Sequence, residues 1–244
     1  MSAVPDLRLR YDKTCGMGHI MRCRTLEKAW NRLGGACKHS ESRALAHEIV
    51  VFDGYYYTNE AKHAAMLDGN IVVSLTELNI PTVSHIVINQ NLGAERFSYP
   101  FADVQLLGTD YFLLRDEVKY ANAEWGIGVF DADSVDRSLS PEEFATKLAS
   151  AKAVICGAGM TAYESIYLGK PTFIRMVAEN QKLTHTMLIK HRWAFPATPH
   201  NIENLEHGVY FNRPVAKSLI DGEGADRVAK AIYDYWKSKH TKTA

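Results

Sequence analysis

Short apolar runs alternate with amphipathic segments along the first half of the chain, which is the pattern of buried strands separated by helices. The runs that predict strands are Leu7 to Tyr11, Ile49 to Phe52, Asn70 to Leu75, Ile86 to Ile88 and Val104 to Leu107. Because these runs are short and rich in β-branched residues, they are typical of a parallel sheet covered on both faces. The first half is therefore predicted to be an α/β unit.

The helices of the first half are predicted from the spacing of their apolar residues. One buried helix face is formed by positions three or four residues apart, namely Cys23, Leu26, Trp30 and Leu33. Gly34-Gly35 supplies a C-terminal stop for this helix, and a second helix is expected from Asn59 to Leu67. A strand, a glycine turn and a helix make up half of a βαβ unit.

The second half of the chain repeats the alternation. The predicted elements are a helix from Pro141 to Leu148 with Ser140 as its N-cap, a strand from Ala153 to Cys156, a helix that ends at Gly169, a strand from Thr172 to Met176 and an amphipathic helix from Gly224 to Lys239. The pattern weakens before Ser140, which places a linker there. The expected organisation is an N-terminal lobe at residues 1–118, a linker at 119–140 and a C-terminal lobe at 141–244.

Composition and charge exclude several classes of protein. The chain has 244 residues, of which 46% are hydrophobic and 23% charged, as in ordinary globular proteins. The 28 basic and 28 acidic residues balance, which disfavours nucleic acid or an anionic membrane as a partner. Four cysteines without a CxxC pair indicate reduced thiols, and no apolar run has the length of a signal peptide or membrane span. We expect a cytoplasmic protein, whose oligomeric state the sequence does not determine.

One glycine turn of the second half has the features of a phosphate site. Gly157 and Gly159 would allow a phosphate to approach the start of a helix, where free N–H groups and the helix dipole favour an anion. Thr161 can donate its hydroxyl, and Glu164 three residues later can reach a ribose diol. The alternative is that the small residues only allow close helix packing and that Glu164 is a favourable acid near a helix N-terminus.

A second glycine turn lies in the first half of the chain and is followed directly by a histidine. Gly16 and Gly18 precede His19, which falls in the opening turn of a helix, where the dipole favours the neutral imidazole that can accept a proton. Arg22, three residues further on, can meet an anionic substrate group. The alternatives are a structural histidine and an ordinary surface arginine. Asn180-Gln181 follows a strand, and paired amides suit sugar hydroxyls and diphosphate oxygens.

The order and spacing of these motifs resemble a known family, the UDP-sugar hydrolases of pseudaminic acid biosynthesis, often called PseG. Spore-coat polysaccharide proteins of the SpsG type and the more distant MurG-type glycosyltransferases are relatives of that family. The motifs that carry the resemblance are Gly16-Met-Gly-His-Ile-Met-Arg22, Asp53-Gly-Tyr55, Ile88-Asn-Gln-Asn91, Gly108 to Glu117, Gly157 to Glu164, Gly169-Lys-Pro171, Asn180-Gln181 and Asp221 to Arg227. The chain is shorter than the family pattern between Gly35 and Ile49 and between Val118 and Ser150, and Thr76-Glu77 stands where adjacent acids are usual.

The resemblance implies an α/β fold of GT-B type, with two Rossmann-like lobes reduced in size and a ligand cleft between them. His19 would be the catalytic base. The resemblance also implies that Gly159, Thr161 and Glu164 hold UDP, that Asn180 and Gln181 contact the diphosphate and sugar, and that Asp53, Tyr55 and Tyr111 line the sugar side. No metal and no other cofactor is expected in this family.

The expected activity is metal-independent hydrolysis of a UDP-activated amino or deoxy sugar at its anomeric carbon, with release of UDP. One alternative is a GT-B glycosyltransferase that uses a UDP-sugar donor and a glycan or modified nucleic acid as acceptor. Another alternative is a UDP-sugar binding protein without catalytic activity. The sequence does not name the sugar.

Overall fold

The computed structural model describes residues 4–11, 16–39, 47–123, 128–134, 138–206 and 219–240. The chain forms two compact units, of which unit 1 comprises Met1–Leu113 and Glu223–Ala244 and unit 2 comprises Leu114–Gly222. Each unit contains one parallel sheet with helices. The prediction of an α/β chain with two Rossmann-like halves is therefore confirmed.

Unit 1 contains a six-stranded parallel sheet with the strand order β2-β1-β3-β4-β5-β6. Its elements before residue 113 are β1 (Leu7–Tyr11), α1 (Met17–Arg32), β2 (Cys37–His39), β3 (Ile49–Asp53), α2 (Asn59–Leu67), β4 (Ile71–Leu75), β5 (Ile86–Asn89) and β6 (Val104–Leu107). Cys23, Leu26 and Trp30 of α1 are buried in its core, as their spacing predicts. The prediction for Leu33 is wrong, because α1 ends at Arg32 and Leu33 is a 38% exposed C-cap residue.

Unit 2 contains a four-stranded parallel sheet with the strand order β10-β9-β8-β7. Its elements are α3 (Asp116–Lys119), β7 (Val129–Asp131), α4 (Pro141–Ser150), β8 (Ala153–Gly157), α5 (Met160–Tyr167), β9 (Thr172–Arg175), α6 (Lys182–Lys190), β10 (Phe195–Pro196) and α7 (Pro199–Glu206). Ser140 caps α4 in a reciprocal capping box with Glu143, which explains why this helix begins at Pro141.

The closing helix, α8 (Gly224–His240), returns to unit 1. Val228, Ile232 and Tyr235 of α8 are buried in the same hydrophobic core as the strands of that unit. The sequence-based boundaries differ here, since they group α8 with the C-terminal lobe. They also treat residues 119–140 as a linker, although β7 lies within them; residues 124–127 and 135–137 are outside the described ranges. An apolar helix face does not by itself indicate which sheet it covers.

Strand register brings the ends of three strands of unit 1 level with one another. Tyr11 at the end of β1 pairs with Asp53 at the end of β3, and Asp53 pairs with Leu75 at the end of β4. The loops that follow these strands therefore leave the sheet at one edge, the edge where open α/β sheets bind ligands. None of the helices within the described ranges is long and apolar enough to cross a membrane.

Candidate functional site

Polar side chains from three elements meet at the carboxyl edge of the sheet of unit 1. We call this group the His19 cluster, and its members are His19, Arg22, Asp53, Tyr55 and Glu77. His19 and Arg22 lie in the first turns of α1, Asp53 ends β3, and Glu77 follows β4 by two residues. Four of these five are candidate site residues from the sequence alone, and the fifth, Glu77, stands out there only as a departure from the family pattern.

Asp53 holds the imidazole of His19 in a defined orientation. Its Oδ1 lies 2.6 Å from Nδ1 of His19, and the Asp53 side chain is completely buried. Nη2 of Arg22 also lies 2.8 Å from this nitrogen, and one of the two N–H groups of Nη2 donates to Oδ1 of Asp53. We assign the Nδ1 proton of His19 to the hydrogen bond with Asp53, because an unprotonated nitrogen would face a carboxylate at this distance.

This tautomer leaves Nε2 of His19 with a free lone pair. No residue in the described ranges forms a hydrogen bond with Nε2. His19 is 5% exposed, so only a small group reaches it without rearrangement of its surroundings. General-base catalysis by histidine often uses this arrangement, in which a carboxylate orients one ring nitrogen and the other ring nitrogen accepts a proton.

Arg22 is paired with carboxylates of the protein itself. Its Nε donates to Oδ2 of Asp53 at 2.6 Å, and its Nη1 donates to Oε1 of Glu77 at 2.7 Å. Burial alone lowers the pKa of the Arg22 guanidinium, but the charges of Asp53 and Glu77 outweigh it and the pKa is raised. Burial alone likewise raises the pKa of the Asp53 carboxyl, and Arg22 and His19 reverse this effect, so the pKa is lowered. Asp53 therefore stays ionised beside His19.

Tyr55 covers one side of the His19 imidazole. The two rings meet edge to face, with centroids 5.2 Å apart and planes at 80°. The Tyr55 hydroxyl donates to Oε2 of Glu77 at 2.6 Å, while the side chain remains 45% exposed. Glu77 thus connects Tyr55 to Arg22, and the cluster forms one continuous hydrogen-bonded network.

The glycines that precede His19 leave open space at the start of α1. Gly16 is the N-cap residue of α1 and has a φ of 102°, a conformation that residues with a side chain rarely adopt. A Cβ at Gly16 would have no atom within 4 Å, and Gly18 is exposed. The preceding residues of the predicted loop, 12–15, lie outside the described ranges.

Backbone N–H groups of the glycine turn in unit 2 form hydrogen bonds with side chains of the same unit. The N–H of Gly157 donates to Oδ1 of Asp133 at 2.9 Å, and the N–H of Ala158 lies 3.2 Å from Oε1 of Gln181. A Cβ at Gly157 would lie 2.9 Å from Cγ2 of Val177, so close packing also requires glycine at this position. Two of the backbone N–H groups that were expected to face a phosphate, those of Gly157 and Ala158, thus already contact side chains of the protein.

The start of α5 is the part of this turn that remains available. Gly159 is its N-cap residue and makes no side-chain capping bond. The N–H groups of Met160 and Thr161 have no hydrogen-bond partner within the described part of the chain. Thr161 is partly exposed. These groups can receive an anion at the positive end of the helix dipole without displacing another of the described groups.

Glu164 lies in a buried ion pair. Its side chain is completely buried, and its Oε1 accepts a hydrogen bond of 2.6 Å from Nε of Arg115, while its Oε2 accepts from Nη2. The same guanidinium lies over the ring of Phe144, 4.7 Å from its centroid. Burial lowers the pKa of Arg115, but Glu164 outweighs this effect and the pKa is raised. The resemblance implies that Glu164 contacts UDP; Arg115, its partner in the structure, was not identified from the sequence.

The remaining predicted site residues have different surroundings. Asn180 and Gln181 belong to a short 3-10 helix, Glu179–Gln181, and Oε1 of Gln181 also accepts from the N–H of Val177 at 3.1 Å. Gln181 thus lies at the glycine turn of unit 2. Tyr111, in unit 1, is partly buried and packs against the hydrophobic core of that unit.

The Ile88-Asn-Gln-Asn91 motif makes internal contacts in unit 1. Nδ2 of Asn89 donates to the hydroxyl of Tyr99 at 3.0 Å, and Oε1 of Gln90 accepts from the N–H of Leu113 at 2.9 Å. Both amides are buried. These bonds satisfy loop backbone and side-chain groups that would otherwise be buried without a partner.

Comparisons with known proteins bear on the fold. No protein-family model matches the chain, and no curated protein matches it. Among solved structures, the crystal structure of MurG from Acinetobacter baumannii is similar over 96% of this chain and 99% of that chain, with a TM-score of 0.57 and 12% sequence identity. A match at this identity indicates shared architecture, and the narrower resemblance to the PseG family stays a prediction. The chain therefore has an α/β fold of GT-B type, like that of MurG.

Proposed function

We propose that this chain is a nucleotide-sugar enzyme that hydrolyses a UDP-activated amino or deoxy sugar, with His19 as the general base. The observation that carries the proposal is the pairing of His19 with Asp53 at 2.6 Å, at the ligand-binding edge of an α/β sheet. In the neutral imidazole, the hydrogen bond from Nδ1 to Asp53 leaves the lone pair of Nε2 available to accept a proton. The fold shared with MurG supports a nucleotide sugar as the substrate.

The reaction is a single displacement at the anomeric carbon. Nε2 of His19 takes a proton from water while the water oxygen forms a bond to that carbon. The bond between the carbon and the diphosphate oxygen breaks, its electrons stay on UDP, and the sugar leaves with inverted anomeric configuration. Asp53 stabilises the imidazolium formed in this step, and a positioned base contributes roughly 10²- to 10⁴-fold to the rate.

Recognition of UDP is assigned to unit 2. The N–H groups at the start of α5 and the hydroxyl of Thr161 support this assignment, because they can stabilise charge that develops on the departing diphosphate. Gly159 and Gln181 are proposed to border the same site, as are Gly157 and Asn180. The proposal needs no metal, since backbone N–H groups supply the positive potential.

A glycosyltransferase is the second candidate, and the fold of MurG favours it. The same base would then deprotonate an acceptor hydroxyl of a glycan or a modified nucleic acid. The 5% exposure of His19 favours water, which is smaller than any such acceptor. Glu77 and Tyr55 would border the acceptor in this case.

Release of UDP from a panel of UDP-sugars, measured with purified protein in EDTA, tests the proposal. Release without an acceptor supports the hydrolase, and release only when a glycan or nucleic-acid acceptor is added supports the transferase. Binding of UDP without release from any donor would identify a binding protein. Release that depends on magnesium or manganese would contradict the metal-independent mechanism, and the absence of both binding and release would reject the whole proposal.

A further inference from the structure

A carboxylate of the chain occupies a pair of converging donors in unit 2. Oδ1 of Asp133 accepts the N–H of Gly157 at 2.9 Å, and its Oδ2 lies 3.0 Å from Nε of Arg175. Gly157 ends β8 and is paired in register with Arg175, which ends β9. The backbone N–H and the guanidinium therefore face the same anion from adjacent strand ends.

The hydrogen bonding of Arg175 is incomplete. Its Nη2 donates to Oδ2 of Asp131 at 2.6 Å, which orients the guanidinium. Its Nε is buried and makes no hydrogen bond, because the contact with Asp133 lacks the required geometry. An acceptor of different shape at the position of Asp133 would satisfy this donor.

Among the described residues, the charges around Arg175 are unbalanced when Asp133 is present. Two carboxylates, those of Asp131 and Asp133, face one guanidinium. A diphosphate that approached the turn with Asp133 in place would meet a like charge, whereas one that replaced Asp133 would pair with Arg175 and with the N–H of Gly157. All three side chains are partly exposed, so such an exchange does not require the opening of a buried core.

We propose that Arg175 and the N–H of Gly157 form the diphosphate-binding cradle of the enzyme and that Asp133 occupies it until the nucleotide displaces it. This inference rests on the proposed function and identifies a binding residue, Arg175, that the sequence-based site lacks. Asp131 is then the positioning residue that keeps the guanidinium at the strand edge. Asp133 sets the affinity for the diphosphate and has no role in recognition of the nucleoside.

Binding of UDP, uridine and inorganic pyrophosphate by calorimetry tests the cradle. Asp133→Asn keeps an oxygen for the N–H of Gly157 but removes the charge, and we expect it to tighten UDP and pyrophosphate by about tenfold with uridine unchanged. Arg175→Gln should weaken UDP and pyrophosphate by about tenfold, again with uridine unchanged. Glu179→Gln is the matched control, because it removes an exposed acid just beyond β9 and should change none of the three affinities.

Thermal melting of each variant identifies any loss of folding, and Asp133→Ala and Arg175→Lys provide second substitutions at each position. If folded variants of Asp133 and Arg175 bind UDP and pyrophosphate with unchanged affinity, the proposal of a diphosphate cradle is wrong. The proposal of UDP-sugar hydrolysis would not be affected by that result. A second outcome is that the variants show the expected changes in pyrophosphate affinity while the unmodified protein cleaves no UDP-sugar. This pair of results would support the cradle and reject the hydrolase. If no variant binds UDP or pyrophosphate, both are rejected.

Discussion

Asp53 and His19 are 34 positions apart in the chain, and their side chains meet at 2.6 Å. The contact exists because α1, which begins at Met17, is the next helix after β1, and β1 is the neighbour of β3 in the sheet. It combines a buried, ionised carboxylate with an imidazole whose Nε2 is unpaired within the described residues. This pair underlies the first two predictions.

Replacement of His19 by Ala should lower turnover of a UDP-sugar by at least roughly 100-fold, because the base is lost. The affinity for UDP should stay within about threefold of the unmodified protein, since the nucleotide is assigned to unit 2. Turnover, UDP titration and thermal melting should be measured on the same preparation. His63→Asn, on the exposed face of α2, is the matched control. A His19 variant that keeps more than about a tenth of the normal kcat would remove this residue from the mechanism.

Replacement of Asp53 by Asn should also remove most of the activity, although it deletes no base. The amide would donate to Nδ1 of His19 and place the proton on Nε2, the wrong tautomer for proton acceptance. Nitrogen chemical shifts of the His19 ring report this change directly. Glu77→Gln is the comparison, because it alters a partner of Arg22 without touching Nδ1. Retention of the Nδ1-protonated tautomer in Asp53→Asn would contradict the assigned role.

Loss of the Glu164 carboxylate should destabilise unit 2 by about 3–5 kcal/mol, because it leaves the buried Arg115 without its partner. Urea unfolding of Glu164→Gln measures the cost. The double variant Arg115→Met/Glu164→Leu should recover most of the lost stability, since neither charge is then buried alone. If Glu164→Gln instead keeps its stability and loses UDP affinity, Glu164 contacts the nucleotide as the family resemblance implies.

The free energy of unfolding should depend on pH through His85. Its Nδ1 accepts the N–H of Val72 at 2.9 Å, and burial together with Lys239 lowers its pKa below 6.5 despite the opposing charge of Asp103. The folded protein therefore binds fewer protons than the unfolded chain below pH 6.5, so this stabilisation is complete above pH 6.5 and is lost as pH falls through the folded pKa.

Urea unfolding at a series of pH values checks this dependence. In His85→Asn, whose Oδ1 can accept the same N–H, the decrease in unfolding free energy below pH 6.5 should be smaller than in the unmodified protein. His63→Asn, which alters an exposed histidine, should keep the original slope. Equal slopes in all three proteins would show that His85 is not responsible.

The local pattern of residues was sufficient to predict most of the regular structure. The bounds of α2 agree with the prediction at both ends, and β8 differs by a single residue, because an uninterrupted apolar run or a capped helical period is encoded by adjacent residues. Elements with little pattern were missed. Two of the three residues of β2 are exposed, and β10 has two residues, so neither has a distinctive sequence. They are strands only because a neighbouring strand supplies their hydrogen bonds.

The sequence by itself determined the class of fold, the two glycine turns and the position of His19 at the start of a helix. The tertiary structure decided which groups these residues meet: Asp53 for His19, Arg115 for Glu164, and Asp133 for the N–H of Gly157. It also decided that α8 covers the core of unit 1. The physical reason is that periodicity and turn chemistry depend on residues near in sequence, whereas ion pairs depend on strand order, register and burial, which bring distant residues together.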